Sequence, residues 1–575
     1  MEDTRKTSLP AGDALTRRSF FKGMGAAAVA AGALGAVSVA GQAHAEEGTG
    51  FALNEYQTIY GGDVNYIPVR KGAWSAPNGP VAFENREIAA DEISSAEECD
   101  VLVIGAGVSG MMAMLTAAEE GARVIAVEKM TKGRSAWESI GGCNSRFQRE
   151  VNRVPDANEY FRAIMRANDY RQPAEVVHAF LDNSGDTVDF MQDMLDRSDT
   201  GIKIFSREVP GNPYGYECIQ GEHSFDIPEK YKWNTWLLGP PVMAGLTQVA
   251  QAHENIDLRF RTAGVQLVSE SGRVTGAILK HMDDETYFQV NAKAVVLSTG
   301  GYEANANLME AWVRPEDYAV AGTWDPSQGT TGDGHMMGLA VGASMDPMPH
   351  PVMSFGLAYP YKLTNLPGMG AAVMAFAIAV NEKGKRFVCE GLQMNFIANA
   401  LVSQKDYGAG CWKVFDTTMA CATADPAEVD AAVTEAVENG WVKKGDTIEE
   451  LASAIGVDPA TLADTVATYN GYFQGNAPVD AKFGRDLTTV MPLTQGPFYA
   501  CNMKNMILTT VGGLTIDGEA HVLDGEGDII EGLYASGNAA GSFYAGSYPR
   551  HLPATSVGRC ATFGRVAGRN AAKGA

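Results

Sequence analysis

The chain is short of positive charge and of paired cysteines, and each shortage closes off a class of function. Lys and Arg number 45 against 69 Asp and Glu, a formal net charge of −24 over 575 residues. A surface of that sign repels nucleic acid and anionic lipid, so no nucleic-acid partner is expected. The eight cysteines (99, 143, 218, 389, 411, 421, 501 and 560) form no C-x-x-C pair and no C-x-x-C-H run. Iron–sulfur clusters, c-type haem and paired-cysteine zinc sites therefore lack their ligand spacing, and no metal site is expected. Hydrophobic residues at 45% and charged residues at 20% are the balance of an ordinary globular protein, which excludes disorder and fibre. Glycine, by contrast, is plentiful: 64 residues imply many tight turns or close approaches of backbone to a ligand. The length exceeds what one hydrophobic core organises, so two large units are expected.

The amino terminus reads Thr16-Arg17-Arg18-Ser19-Phe20-Phe21-Lys22, then an Ala/Gly-rich run to Gly41, then Ala43-His44-Ala45. Residues 1–45 resemble a twin-arginine export signal, with a cationic start, a mildly apolar stretch and small residues that fit a signal peptidase. The alternative, a permanent membrane anchor, is weakened because Ala and Gly contribute little apolar surface. The nearest cysteine is Cys99, which gives no lipoprotein site. The resemblance implies the twin-arginine export machinery as a partner, a periplasmic or other extracytoplasmic location, and a cofactor loaded before export. Removing 1–45 takes away five basic and three acidic residues and leaves −26.

Residues 46–97 are polar and rich in Gly, Pro and Asn, and read as a leader without chemistry. Val101-Leu102-Val103-Ile104 is then a continuous apolar run, the signature of a strand buried on both faces. Similar runs at Val124–Val127 and Ala294–Leu297 alternate with helical patterns, which is α/β organisation. From about 346 to 492 the character changes to Met-rich loops and a helical part around Ile448 to Phe473, so an inserted second domain is expected there. The first domain is expected to span 98–345 and to be completed by 493–575.

Gly105-Ala106-Gly107-Val108-Ser109-Gly110 follows the first buried run and opens a helix-compatible stretch that leads to a second strand ending at Glu128. Gly105 permits the tight turn, Gly107 lets the backbone approach a pyrophosphate, Gly110 allows close helix packing, and Glu128 can accept from an adenosine ribose. The strand, helix and acid in register predict a Rossmann-type dinucleotide site. Glu128 suits the ribose of either FAD or NAD.

Further segments bear on that choice. Lys129 is followed by Gly133-Arg134-Ser135 and Gly141-Gly142-Cys143-Asn144, then by Ser298-Thr299-Gly300-Gly301, Thr331-Gly332-Asp333-Gly334 and Gly532-Leu533-Tyr534-Ala535-Ser536-Gly537-Asn538. In this order the segments resemble the FAD-binding domain of the fumarate reductase and succinate dehydrogenase flavoprotein superfamily, which also contains 3-ketosteroid dehydrogenases and urocanate reductase. The likeness runs from about 100 to 568. It implies FAD held by Gly105, Ala106, Gly107, Ser109, Gly110, Glu128, Lys129, Arg134, Ser135, Gly141, Gly142, Val265, Thr299, Gly300, Asp333, Asn538, Ser556 and Val557. Val380 to Val388 resembles that family's capping segment, which implies an inserted α+β domain closing over the flavin. Members with covalent FAD carry a histidine where this chain has Ala136 to Ile140, so non-covalent FAD is implied. A helix beginning at Ser556-Val557-Gly558-Arg559 would direct free amides at negative charge on a reduced flavin.

Fumarate reductases of this kind use an arginine proton donor, two histidines and a second, substrate-clamping arginine. His350 resembles the first histidine and Arg550, in Ser547-Tyr548-Pro549-Arg550-His551, the clamping arginine. Met394 stands where the proton donor falls, and Thr509-Thr510 where the second histidine falls. Methionine has no proton to give, which argues against fumarate. Tyr548-Pro549 resembles the Tyr-Pro of ketosteroid dehydrogenases, so Tyr548 is a candidate for polarising a carbonyl, or else packs in the core. Met345, Met348, Met353, Met369 and Met374 are candidates for an adaptable apolar pocket, or ordinary core. The sequence thus points to an FAD-dependent reductase of a conjugated carbon–carbon double bond in a small unsaturated organic substrate, with electrons from a separate membrane or cytochrome partner. The alternative is a dehydrogenase of ketosteroid-like substrates.

Overall fold

The computed structural model describes residues 67–68 and 87–574, apart from 135–136, 210–218, 233–236, 319–321, 324–328, 476, 547 and 549–551. The export-signal reading, Ser135 and Arg550 lie outside the described residues. Two sheets carry the architecture. The larger takes the order His521–Leu523, Ile529–Ala535, Tyr287–Leu297, Ile93–Ile104, Val124–Glu128, Ile256–Phe260, with the hairpin Thr262–Glu270 and Arg273–His281 packed alongside. Ile93–Ile104 pairs in parallel with Val124–Glu128 on one side and Tyr287–Leu297 on the other, and its second half is buried, as a strand between two neighbours and two layers must be. Its first half is exposed and begins inside the expected leader, because a strand may run out past its sheet's core while its backbone still pairs.

The register sets the site. Ile104 lies opposite both Val127 and Leu297, so Gly105, Glu128 and Ser298 leave three adjacent strands at one level. Ligands of open α/β sheets bind in the crevice outside these carboxyl ends. The helix Val108–Glu119 returns over the sheet, and the last helix, Thr555–Gly574, packs on it. A Cβ at Gly564 or Gly568 would lie 2.1 or 2.2 Å from the carbonyl oxygens of Ser109 and Ala113. Two glycines four residues apart thus let the helices approach backbone to backbone and close the first domain with the carboxyl terminus.

The second sheet is built on Phe498–Thr510, which pairs antiparallel with Val352–Tyr359, Trp412–Asp416 and Val442–Gly445. This strand lies past residue 492, and it pairs with strands on the other side of that position. Asn502, Lys504 and Asn505 interrupt the apolar pattern of this strand, and Asn505 is buried by donating to the Asp317 carbonyl (3.1 Å). The helical part around 448–473 is two helices, Ile448–Ile455 and Pro459–Gly471. Gly456 ends the first in a left-handed conformation (φ 75°), and Asp458 caps the second by accepting from Thr461 N–H (2.8 Å), with proline in its first turn. Glu390 is fully buried between Arg386 (2.6 Å) and Arg485 (3.3 Å), which ties the Asn381 to Glu390 segment to the loop at 480–485. Among the described residues no helix is long and apolar enough to cross a membrane.

Candidate active site

The strand-to-helix turn is shaped for a dinucleotide. Gly105 has φ +103°, and a Cβ there would lie 2.3 Å from the Ser298 carbonyl oxygen. A Cβ on Gly110 would lie 1.8 Å from the Gly105 oxygen. Gly107 differs: it precedes a helix with no side-chain cap, and a Cβ on it would meet nothing within 4 Å. Unsatisfied helix amides beside open space are what a pyrophosphate needs. The neighbouring cleft is lined by Gly105, Glu128, Lys129, Thr262, Thr299 and Asp333 together with Ile104, Val127, Ala263, Gly264 and Gly329. Glu128 accepts from Ala106 N–H (2.9 Å) and Met130 N–H (3.0 Å), and burial pushes its carboxyl above the usual carboxylate range against these two bonds. Lys129 Nζ is held by Asp333 (2.7 Å) and Thr331 (2.5 Å), and Gly334 N–H donates to Thr299 Oγ1 (3.1 Å). These residues fit an adenine dinucleotide.

The remaining expected contacts fall in different places. Val265 turns from the cleft into a small cluster with Ile88, Ala263, Ile278 and Tyr287, whereas Thr262, Ala263 and Gly264 form the rim. Ser109 is buried beneath Gly537, where a Cβ would lie 2.4 Å from its hydroxyl. Gly300 takes φ +77° in the turn after Tyr287–Leu297. Gly141 and Gly142 donate to the carbonyls of Ala554 (2.9 Å) and Gly221 (2.8 Å), so Gly141 abuts the start of the helix that carries Ser556 and Val557.

Arg134 makes its described contacts with another segment. It pairs with fully buried Glu303 (2.9 Å) and donates to the Leu508 carbonyl (2.5 Å) and Thr509 Oγ1 (3.3 Å). Asn538 Nδ2 donates to the same threonine (2.8 Å), and buried Arg559 donates to Asn538 Oδ1 (2.5 Å). A continuous polar row therefore runs from Glu303 through Arg134, Thr509 and Asn538 to Arg559. Sequence reading passed over Glu303; its one local signal is an acid placed directly after Gly300-Gly301-Tyr302.

Beside that row lies an apolar wall. Leu508 packs with Met394, Phe355, Leu357, Met506, Met353, Tyr361 and Met374. Of the five methionines that were candidates for a pocket or for ordinary core, Met353 and Met374 are here, Met369 is in the core around Phe415, Met345 packs on the core of the larger sheet, and Met348 is exposed. Helical and strand neighbours brought in Met394 and Met506 instead. The start of the helix Met394–Val402 is tied to Tyr548, because Asn395 Nδ2 donates to the Tyr548 carbonyl (2.9 Å). Tyr548 itself is buried with its ring 5.5 Å from that of Tyr544.

His350 is fully buried, with Nδ1 meeting the Tyr302 hydroxyl (2.8 Å) and Nε2 the Asp346 carbonyl (2.9 Å). Burial lowers its pKa, so the ring is neutral, donating from Nε2 and accepting at Nδ1. With His335 it packs against the ring of Tyr302, apart from the polar row.

The profile of the FAD binding domain family matches residues 100–551. A probable fumarate reductase of Shewanella frigidimarina is 31% identical over 495 residues, covering 83% of this chain and 75% of that protein. A vinyl phenol reductase of Lactiplantibacillus plantarum is 27% identical over 509 residues, covering 82% and 96%. The open conformation of a flavocytochrome c3 fumarate reductase superposes with a TM-score of 0.62 at 25% identity, covering 84% of this chain and 79% of that one.

Proposed function

The chain belongs to the FAD binding domain family and is an FAD-dependent oxidoreductase acting on CH–CH bonds, and from that premise we propose that it reduces a carbon–carbon double bond conjugated to a carbonyl or carboxylate, in a substrate that is not fumarate. The observation that carries this reading is Met394, set in a wall of Phe355, Leu357, Met353, Met374 and Met506. A dicarboxylate on that wall would lose water without gaining a partner, which costs several kcal/mol. An apolar or aromatic body gains thioether and ring contacts there. FAD, when bound, supplies the two-electron hydride chemistry of such a reaction.

The protein's own residues hold, orient and polarise. Gly107 and the amides of Val108–Glu119 receive the phosphates, Glu128 the ribose, and Asn538 with Thr509 line the reacting side. Arg550 anchors the activating group, and Tyr548, whose carbonyl is held by Asn395, assists in polarising it. The FAD is non-covalent, so acid precipitation releases it intact. The protein is exported through Arg17 and Arg18 and takes electrons from a separate membrane or cytochrome protein; replacing both arginines with lysine leaves folded protein in the cytoplasm.

The test is anaerobic mixing of the chemically reduced protein with fumarate, trans-cinnamate and cyclohex-2-enone, read by the return of oxidised flavin absorbance. Reoxidation by a conjugated compound and none by fumarate is expected. Brisk fumarate reduction overturns the assignment, and bleaching of the oxidised flavin by a ketosteroid reverses the direction. Arg550→Met slows reoxidation about 100- to 1000-fold with FAD still bound.

A further inference from the structure

Reduction of a conjugated bond needs a proton at the α-carbon, and Met394 carries none. We propose that Tyr361 supplies it, an assignment that rests on the double-bond reduction proposed above. Tyr361 opens the 3-10 turn Tyr361–Asn365 directly after the strand Val352–Tyr359 and Pro360. Met353, Phe355 and Leu357 stand two apart on that strand and share one face, and the cluster they form with Met374, Met394, Met506 and Leu508 includes Tyr361. Of these side chains Tyr361 alone bears a hydroxyl. It is half-buried, as are Met374, Met394 and Leu508, whereas Phe355, Leu357 and Met506 of the same cluster are buried. The turn is fixed from within: Leu363 N–H donates to the Pro360 carbonyl (3.0 Å) and the Thr364 hydroxyl to the Tyr361 carbonyl (2.8 Å).

Two other acids lie along the neighbouring polar row. Glu303 is ion-paired with Arg134 and accepts from Thr510 N–H (3.1 Å), and the Tyr302 hydroxyl is bonded to His350. A phenol keeps its proton at neutral pH and can give it up as an acid there. Bound FAD, in its two-electron-reduced form, would supply the hydride taken up at the β-carbon, the π electrons passing to the α-carbon and its activating group. The α-carbon then takes the proton from Tyr361 Oη: one C–H bond forms, the O–H bond breaks, and the tyrosinate regains a proton from water.

Tyr361→Phe keeps the ring and its packing and removes only the acid. Wild type and variant are reduced without oxygen and mixed with trans-cinnamate, crotonate or cyclohex-2-enone, the fastest oxidant of the wild type being used for both. The variant is expected to hold the same FAD content and the same affinity for that compound in the oxidised form, read from the shift in flavin absorbance. Its reoxidation is expected to be about 100- to 1000-fold slower. The wild-type rate should also fall at alkaline pH as the phenol ionises, and the variant should lack that limb. A variant within threefold of the wild-type rate, with the same alkaline limb, overturns Tyr361 alone. A reduced wild type that none of the three compounds reoxidises overturns the double-bond reading as well.

Discussion

Glu128 ends the strand Val124–Glu128 with its carboxylate turned back onto its own chain, one oxygen to Ala106 N–H and the other to Met130 N–H. Burial opposes ionisation and the two amides favour it, and burial is the larger. Glu128→Ala leaves both amides unpaired and removes an acceptor for the ribose, about 1 to 3 kcal/mol. The FAD dissociation constant should therefore rise about 5- to 150-fold, measured by titrating the apoprotein with FAD and following flavin fluorescence. Glu128→Gln, with one oxygen acceptor left, should fall between. Unchanged affinity in the alanine variant would remove Glu128 from the site.

At the scale of elements, two glycines three residues apart in one turn have separable functions. Gly110 lies against the Gly105 carbonyl, so Gly110→Ala forces the helix Val108–Glu119 off its strand and should cost the apoprotein about 3 kcal/mol in denaturant titration. Gly107 has an ordinary φ of −65° and open space at its Cβ. Gly107→Ala should therefore leave apoprotein stability within about 1 kcal/mol of wild type, the modest difference between glycine and alanine at a helix start. Its methyl group fills the space in front of the helix amides, so FAD affinity should drop about 100-fold. Equal loss of stability in both variants would show that the turn is purely structural.

For the molecule as a whole, the buried histidines set a response to acid. Burial lowers His223 to about 4, and burial, with a smaller contribution from His350, lowers His335 to about 3. Both are neutral in the fold, while an unfolded histidine titrates near 6.5. As pH falls from about 6.5 towards 4 the unfolded chain takes up protons that the fold refuses, so this stability is present above 6.5 and lost on acidification. Each histidine contributes a slope of up to about 1.4 kcal/mol per pH unit. His335→Leu, between the rings of Tyr302 and Trp312, should remove one such slope from the urea-unfolding free energy between pH 4.5 and 6.5. An unaltered slope would mean that His335 does not titrate as assigned.

The sequence by itself determined the features that local spacing encodes. The buried run, Gly105 to Gly110 and Glu128 lie within about thirty residues, and their φ angles, packing limits and hydrogen bonds follow from chemistry between near neighbours. The family resemblance in the sequence also pointed to Met394 as the position where the pattern of a dicarboxylate site would break. Tertiary structure decided what surrounds the break. Arg134 meets Glu303 across 169 residues and Thr509 across 375, and the Met394 wall draws on the segments around 355, 394 and 506. Such contacts depend on strand register and helix docking between distant segments, which no local period records. The same register turned His350 inward onto Tyr302 and made Phe498–Thr510 the spine of the inserted unit, because a buried polar side chain goes wherever the fold offers it a partner.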